Sequence, residues 1–226
     1  MAQATSTVRA GNATAIALET VVPQMSPQAI YQTYTQGKPL FRDSLTDFKN
    51  SYFYNPDTLK PDPGCVFQPD GLHITSSDVG SWVPCNNSAF PDLMNFSFQY
   101  DFALLKGDSA GLRFRAAGAS CYYFSFDASG NYAFLYYPDV MDGKTAQTIR
   151  LGASNLMHKG YGVKNQFTLI AIGGLFYFYF NQQFVMKATD QTLTTGGLSL
   201  LVESKTAPTE AVFSQATAWN IAGMAP

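Results

Sequence analysis

Met94-Asn95-Phe96-Ser97-Phe98-Gln99-Tyr100-Asp101-Phe102-Ala103-Leu104 alternates without a break: Phe96, Phe98, Tyr100 and Phe102 fall on one side, Asn95, Ser97, Gln99 and Asp101 on the other. Successive side chains of a pleated strand point to opposite faces, so this stretch reads as a strand with one face in an apolar core. The same reading extends outward. Upstream, residues 66–75 look like two short strands around the Asp70-Gly71 turn, and Ser81 to Pro84 a third. Downstream, Leu112 and Phe114 oppose Arg113 and Arg115. Strands are then expected at 120–126, 132–137, 148–151, 166–172, 175–180, 184–188, 198–203 and 211–221. Many short strands with tight turns and no long helical period mean a β-sandwich or barrel.

Composition supports this and excludes several classes. Charged residues make up 13% of the 226, about half the usual share near 25%, while aromatics reach 15%. That apolar content offsets the entropy of ordering, so a disordered chain is excluded for most of the length. A formal charge of −2 provides no electrostatic footprint for nucleic acid. The longest uncharged apolar run, Phe167 to Phe180, falls short of the roughly 20 residues that span a bilayer, and no signal peptide is expected. Glu19, Glu203 and Glu210 are the only glutamates, whereas surface helices normally use glutamate freely.

Two parts are expected along the chain. Residues 1–24 form an Ala/Thr-rich spacer or tail, with a docked helix as the alternative, and 25–226 a single β-sandwich domain. The stretch 31–63 reads as irregular, with Tyr31, Tyr34, Tyr52, Phe53 and Tyr54 among Pro, Asp and Asn.

The run Lys106-Gly107-Asp108-Ser109-Ala110-Gly111-Leu112-Arg113-Phe114-Arg115 opens an ordered set of motifs. Tyr122-Tyr123-Phe124, the Asp127-to-Tyr132 hairpin, Phe176-to-Asn181 and Pro208-to-Trp219 complete it. Together, over about residues 40–222, they resemble the concanavalin A-like (laminin G-like) jelly-roll domains. The likeness is to the bacterial branch grouped with family 16 glycosidase-like and 3-keto-disaccharide hydrolase-like domains. The resemblance implies an all-β, antiparallel two-sheet sandwich, a concave face that often binds saccharide, and a frequent structural calcium. The tail is similar to spacers that follow a membrane anchor in bacterial surface proteins of this sort.

Cys65 and Cys85 flank a segment able to fold back as a hairpin, and similar domains carry cysteines in similar places. A disulfide there would stabilise by about 3 kcal/mol in the chain-entropy view. Two reduced buried thiols are the alternative. Cys121 is then left over as a buried, inert thiol. His73 and His158 stand near no Ser or Cys elbow, so a catalytic triad has no support.

Family 16 glycosidases present Glu-x-Asp-x-Glu on one strand, and this chain has no such run. Asp101 and Asp127 are the remaining carboxylate pair to consider. Saccharide binding, by contrast, needs flat aromatic rings beside fixed polar groups, and alternation supplies both. The candidate ligand face carries Arg113, Arg115, Tyr123, Ser125, Asp127, Tyr137, Tyr177 and Tyr179, each opposed in sequence to bulkier apolar residues. The bland alternative is a solvated sheet back. Asp139 and Asp142, in the loop 136–143, could begin a calcium site together with backbone carbonyls. Asn12, Asn86 and Asn95 begin glycosylation sequons that matter only in a eukaryotic secretory setting.

Three functions remain. A non-catalytic, lectin-like carbohydrate-binding or adhesive module of an exported or cell-surface bacterial protein comes first. A structural subunit that self-associates through its N-terminal tail is second, and a glycosidase-like enzyme third.

Overall fold

The computed structural model describes residues 21–53, 64–86, 92–140 and 145–221. In chain order, the helix α1 (Pro27–Tyr34) comes first. The early strands are β1 (Phe41–Asp43), β2 (Cys65–Gln68), β3 (Gly71–Ser76), β4 (Ser81–Asn86) and β5 (Phe96–Lys106). The middle strands are β6 (Ser109–Ala117), β7 (Ser120–Phe126), β8 (Asn131–Tyr137) and β9 (Gln147–Ala153). Then follow β10 (Asn165–Ile172), β11 (Leu175–Phe180), β12 (Gln183–Thr189), β13 (Gly197–Ser204) and β14 (Thr209–Asn220). Each of the strands expected from alternation is present, within a few residues at its ends.

Pairing is antiparallel throughout and divides the strands into two sheets. One runs β12-β11-β10-β5-β14-β3-β2, with β1 also paired to β14; the other runs β4-β13-β6-β7-β8-β9. Their inner faces meet in a core dominated by aromatic rings. Phe102 and Phe126 cross between the sheets with ring centroids 4.0 Å apart, and Phe124 stacks on Phe178 at 4.5 Å. Phe96, Phe98, Tyr100 and Phe102 of β5 are all buried there, as their alternation requires.

The Asp70-Gly71 turn between β2 and β3 needs its glycine. Gly71 has φ +149°, and a Cβ on it would come within 2.3 Å of the Phe213 carbonyl oxygen. The chain crosses between sheets from β3 to β4, and the Cys65–Cys85 disulfide, with Cα atoms 6.0 Å apart, ties β2 at one sheet's edge to β4 at the other's. Cys121 is free and buried.

Several short elements before the sandwich's main strands were absent from the sequence reading of this region. β1 adds a short pairing to β14 below a bulge at Ser214–Thr217. Residues 22–24 form a 3-10 turn and 27–34 the helix α1, which Ser26 caps by accepting from the Ala29 amide, with Pro27 leading its first turn. An eight-residue helix is unstable alone, so docking holds it. Val22, Ile30, Tyr31 and Tyr34 pack on Ile170, Ile172, Tyr177, Tyr179, Trp219 and Ile221, on the outer face of the larger sheet. The spacer expected up to residue 24 therefore gives way to docked structure by Val22, which is fully buried. Residues 1–20 of that spacer, with Asn12, lie outside the described residues. No helix among the described residues is long and apolar enough to cross a membrane.

Candidate functional site

Alternation in the smaller sheet sends Leu112, Phe114, Phe124, Phe134, Leu200 and Val202 inward. The intervening residues therefore share the outer face. Across it, Ser199, Arg113, Tyr123 and Leu135 form one cross-strand row, and Trp82, Glu203 and Ser109 another. Trp82 on β4 and Tyr137 on β8 are separated by three strands, which in a flat sheet would hold their backbones roughly 19 Å apart. Their ring centroids nevertheless lie 5.5 Å apart. The sheet must curl to bring them together, so this face is concave. Tyr123 lies beneath, 6.0 Å from Trp82 and 6.3 Å from Tyr137.

A cavity of about 360 Å³ opens beside the Trp82 and Tyr137 rings, lined also by Val140, Thr145, Glu203 and Lys205. Glu203 accepts from the Ser109 hydroxyl at 3.2 Å and pairs with Lys205 at 3.2 Å, both through Oε2. Burial raises the Tyr137 phenol to about 12, and the nearby Glu203 carboxylate adds to the rise. Tyr123 is pushed up by the same two causes, burial foremost. Both phenols are therefore neutral hydrogen-bonding groups at physiological pH.

The residues expected on the ligand face separate into three groups. Arg113, Tyr123, Ser125 and Tyr137 do share the outer face of the smaller sheet. Tyr123 and Ser125 are buried within it, and Arg113 turns to the Cys121 thiol. Burial pushes that thiol up to about 11, against the pull of the Arg113 guanidinium. Tyr177 and Tyr179 belong to the other sheet. They point away from the sandwich core, as Phe176, Phe178 and Phe180 require, but α1 and its flanks cover them, leaving 2% and 0% exposed. A solvent-facing position for them was wrong because alternation reports which side a residue faces, not what packs there.

Arg115 reverses its expected direction. It sits at a bulge with φ 47°, where the β6–β7 register shifts between Phe114 and Ala117. The extra residue turns its side chain inward. The guanidinium donates to the carbonyls of Leu193 (2.8 Å), Met94 (2.8 Å) and Gly173 (2.6 Å) and lies 4.9 Å from the Phe176 ring centroid. Gly196 backs onto the bulge; a Cβ there would meet the Arg115 carbonyl carbon at 2.5 Å. Asp127 closes the β7–β8 hairpin, accepting from the Ser129 and Asn131 amides and the Asn131 side chain. It is a turn residue. Asp101 is on the larger sheet, paired with Lys164 at 2.9 Å, so these two carboxylates do not converge.

Asp139 stands in the bend after β8, and Asp142 lies outside the described residues. Among the described residues no three His, Cys, Asp or Glu side chains cluster to hold a metal.

No protein-family model matches this sequence, nor does any curated protein sequence. Solved structures do match in fold. The carbohydrate-binding module CBM66 from Bacillus subtilis superposes with TM-score 0.57 at 20% identity, over 69% of this chain and 90% of its own. A Bacillus subtilis protein of unknown function with a galectin-like fold gives 0.59 at 16%, over 83% and 98%. The β-glucanase of Bacillus licheniformis gives 0.55 at 11%, over 81% and 99%. The fold is a two-sheet antiparallel jelly roll. At these identities the likeness concerns the fold; the site rests on its own geometry.

Trp82 and Glu203, two central groups of this jelly roll's cleft, were not among the expected site residues. Their signal was present but short. Val83 and Cys85 alternate with Trp82 and Pro84, and Val202 with Glu203, so both belong to outer faces by parity. What was missing was the pairing that sets Trp82 opposite Glu203 across two strands.

Proposed function

We propose that this chain is a non-catalytic carbohydrate-binding or adhesive module of an exported or cell-surface bacterial protein, and that the Trp82–Tyr137 cleft is its saccharide site. One observation carries the reading. Two aromatic rings border a cavity of about 360 Å³ that also presents a carboxylate and an ammonium, Glu203 and Lys205. Sugar rings have apolar C–H faces and a rim of hydroxyls, so they stack on such rings while charged groups hold the rim. The cavity is at the small end of ligand pockets, about 300 to 1,000 Å³, which suits a short saccharide.

The non-catalytic part is supported by the lining. Glycoside hydrolysis ordinarily uses two carboxylates about 5 to 9.5 Å apart, and Glu203 is the one carboxylate among the described lining residues. Export is supported by the Cys65–Cys85 disulfide, since such bonds persist in oxidising compartments. Superposition on a carbohydrate-binding module and a β-glucanase agrees with a saccharide ligand.

The test is a glycan array with the wild-type chain and with Trp82→Ala and Tyr137→Ala. Loss of at least about tenfold in binding, roughly 1.4 kcal/mol, with little change in melting temperature is the expected result. Wild-type binding by both variants overturns the reading. A parallel array with a chelator tests the calcium that the resemblance implies.

A further inference from the structure

We infer that the cleft selects saccharides bearing a free ammonium group, unacetylated hexosamines, with Glu203 as the counter-charge; the inference rests on the saccharide reading above.

The two oxygens of Glu203 are used unequally. Oε2 takes both the Ser109 hydroxyl and the Lys205 ammonium, while among the described residues Oε1 takes no hydrogen bond. The carboxyl side chain is 18% exposed, so this open acceptor is only partly hydrated. The Trp82 and Tyr137 rings line the same cavity as Glu203, with centroids 5.5 Å apart and planes inclined at 36°. Ring faces attract cations, and the attraction grows when the cation leaves water. A neutral sugar hydroxyl gains a hydrogen bond from Oε1. An ammonium gains that bond, the charge and the ring faces together.

Glu203 acts on both phenols, since its charge adds to the rise that burial causes at Tyr123 and Tyr137. The charge is therefore felt across the cleft. Lys205 already shows that an ammonium fits beside this carboxylate, 3.2 Å away. Its side chain is 56% exposed, and an exposed pair of this kind is weak. A ligand ammonium in the cavity beside the Trp82 and Tyr137 rings can take over that role. Arg113, on the same face, is turned to Cys121.

Calorimetric titration of the full chain with three oligosaccharides of equal length tests this. The probes are β-1,4-linked oligomers of glucosamine, of N-acetylglucosamine and of glucose. The glucosamine oligomer should bind at least about tenfold more tightly than the other two, about 1.4 kcal/mol, and more weakly as salt rises. Glu203→Gln keeps the shape and removes the charge, and should erase that difference. Lys205→Ala removes the internal competitor and should strengthen amine binding by about two- to fivefold. Equal affinities, tighter binding of an uncharged oligomer, or a preference that survives Glu203→Gln each overturns the inference and leaves the saccharide reading standing. Binding of none of the three, on a chain that also fails the glycan array, overturns both.

Discussion

The hydroxyl of Tyr179 donates to the carbonyl oxygen of Pro27, 2.8 Å away and 152 positions earlier in the chain. This bond fastens the start of α1 to the outer face of the larger sheet. Tyr31 packs at a tilt against Tyr179, ring centroids 5.2 Å apart, and its hydroxyl donates to the Gln99 side chain at 2.9 Å. The segment before the sandwich is thereby part of the folded body, and its tyrosines are a second small core. Tyr179→Ala should lose about 3 to 5 kcal/mol in urea unfolding, as large-to-small changes at fully buried aromatics do. Unchanged stability would mean that α1 does not cover this face in solution.

The same core contains polar groups without partners. Tyr34 and Tyr177 bury hydroxyls that have no hydrogen-bond partner among the described residues. Removing an unsatisfied hydroxyl takes away a desolvation penalty. Tyr34→Phe and Tyr177→Phe should each be neutral or stabilising by up to about 1 kcal/mol, measured as a shift in unfolding midpoint. A loss of more than that amount would reveal a buried partner such as water.

Arg115 makes the opposite case. Its guanidinium satisfies carbonyls from three separate segments, at Met94, Gly173 and Leu193, and it is fully buried. Lysine has no planar fork and cannot reach all three. Arg115→Lys should cost about 2 kcal/mol or more, and Arg115→Met about 3 kcal/mol or more, since both leave buried carbonyls unpaired. Thermal unfolding followed by near-UV circular dichroism reads both.

Asp108 provides a pH signature. Although its slight burial works against it, hydrogen bonds from the Thr206 side chain and from the Thr206 and Ala207 amides lower its carboxyl from 3.8 to about 2. A depressed carboxylate stabilises the fold above its unfolded value and loses that contribution as pH falls through the folded one. The stability difference between wild type and Asp108→Asn should be full above about pH 4 and shrink between about pH 4 and pH 2. A difference that stays constant across this window would remove the carboxylate from the linkage.

The cysteines separate by chemistry. Reducing Cys65–Cys85 should lower stability by about 3 kcal/mol, because the unfolded chain regains the freedom of the closed loop. Cys121, buried and raised to about 11, should resist alkylation at pH 8 until the protein is unfolded, then titrate as one thiol per chain. Rapid alkylation of the folded protein would show that Cys121 is accessible.

Alternation by itself determined the strands, because a period of two is written in local sequence: Phe96 to Phe102 had to face a core, and so did Leu112 and Phe114. With scarce glutamate and closely spaced turns, that period also determined an all-β sandwich. Parity likewise placed Arg113, Tyr123 and Tyr137 on one outer face. Tertiary structure alone decided the rest. A face direction does not say which sheet a strand joins, so Tyr177 and Tyr179 were grouped with residues of the opposite sheet. Nor does it say what lies above: α1 is too short to be stable alone, and only docking on those tyrosines makes it a helix. The Arg115 bulge depends on the register of β6 against two neighbours, which no local pattern encodes. The Trp82–Tyr137 contact depends on the curl of the whole smaller sheet, a sum of small twists between strands far apart in the chain.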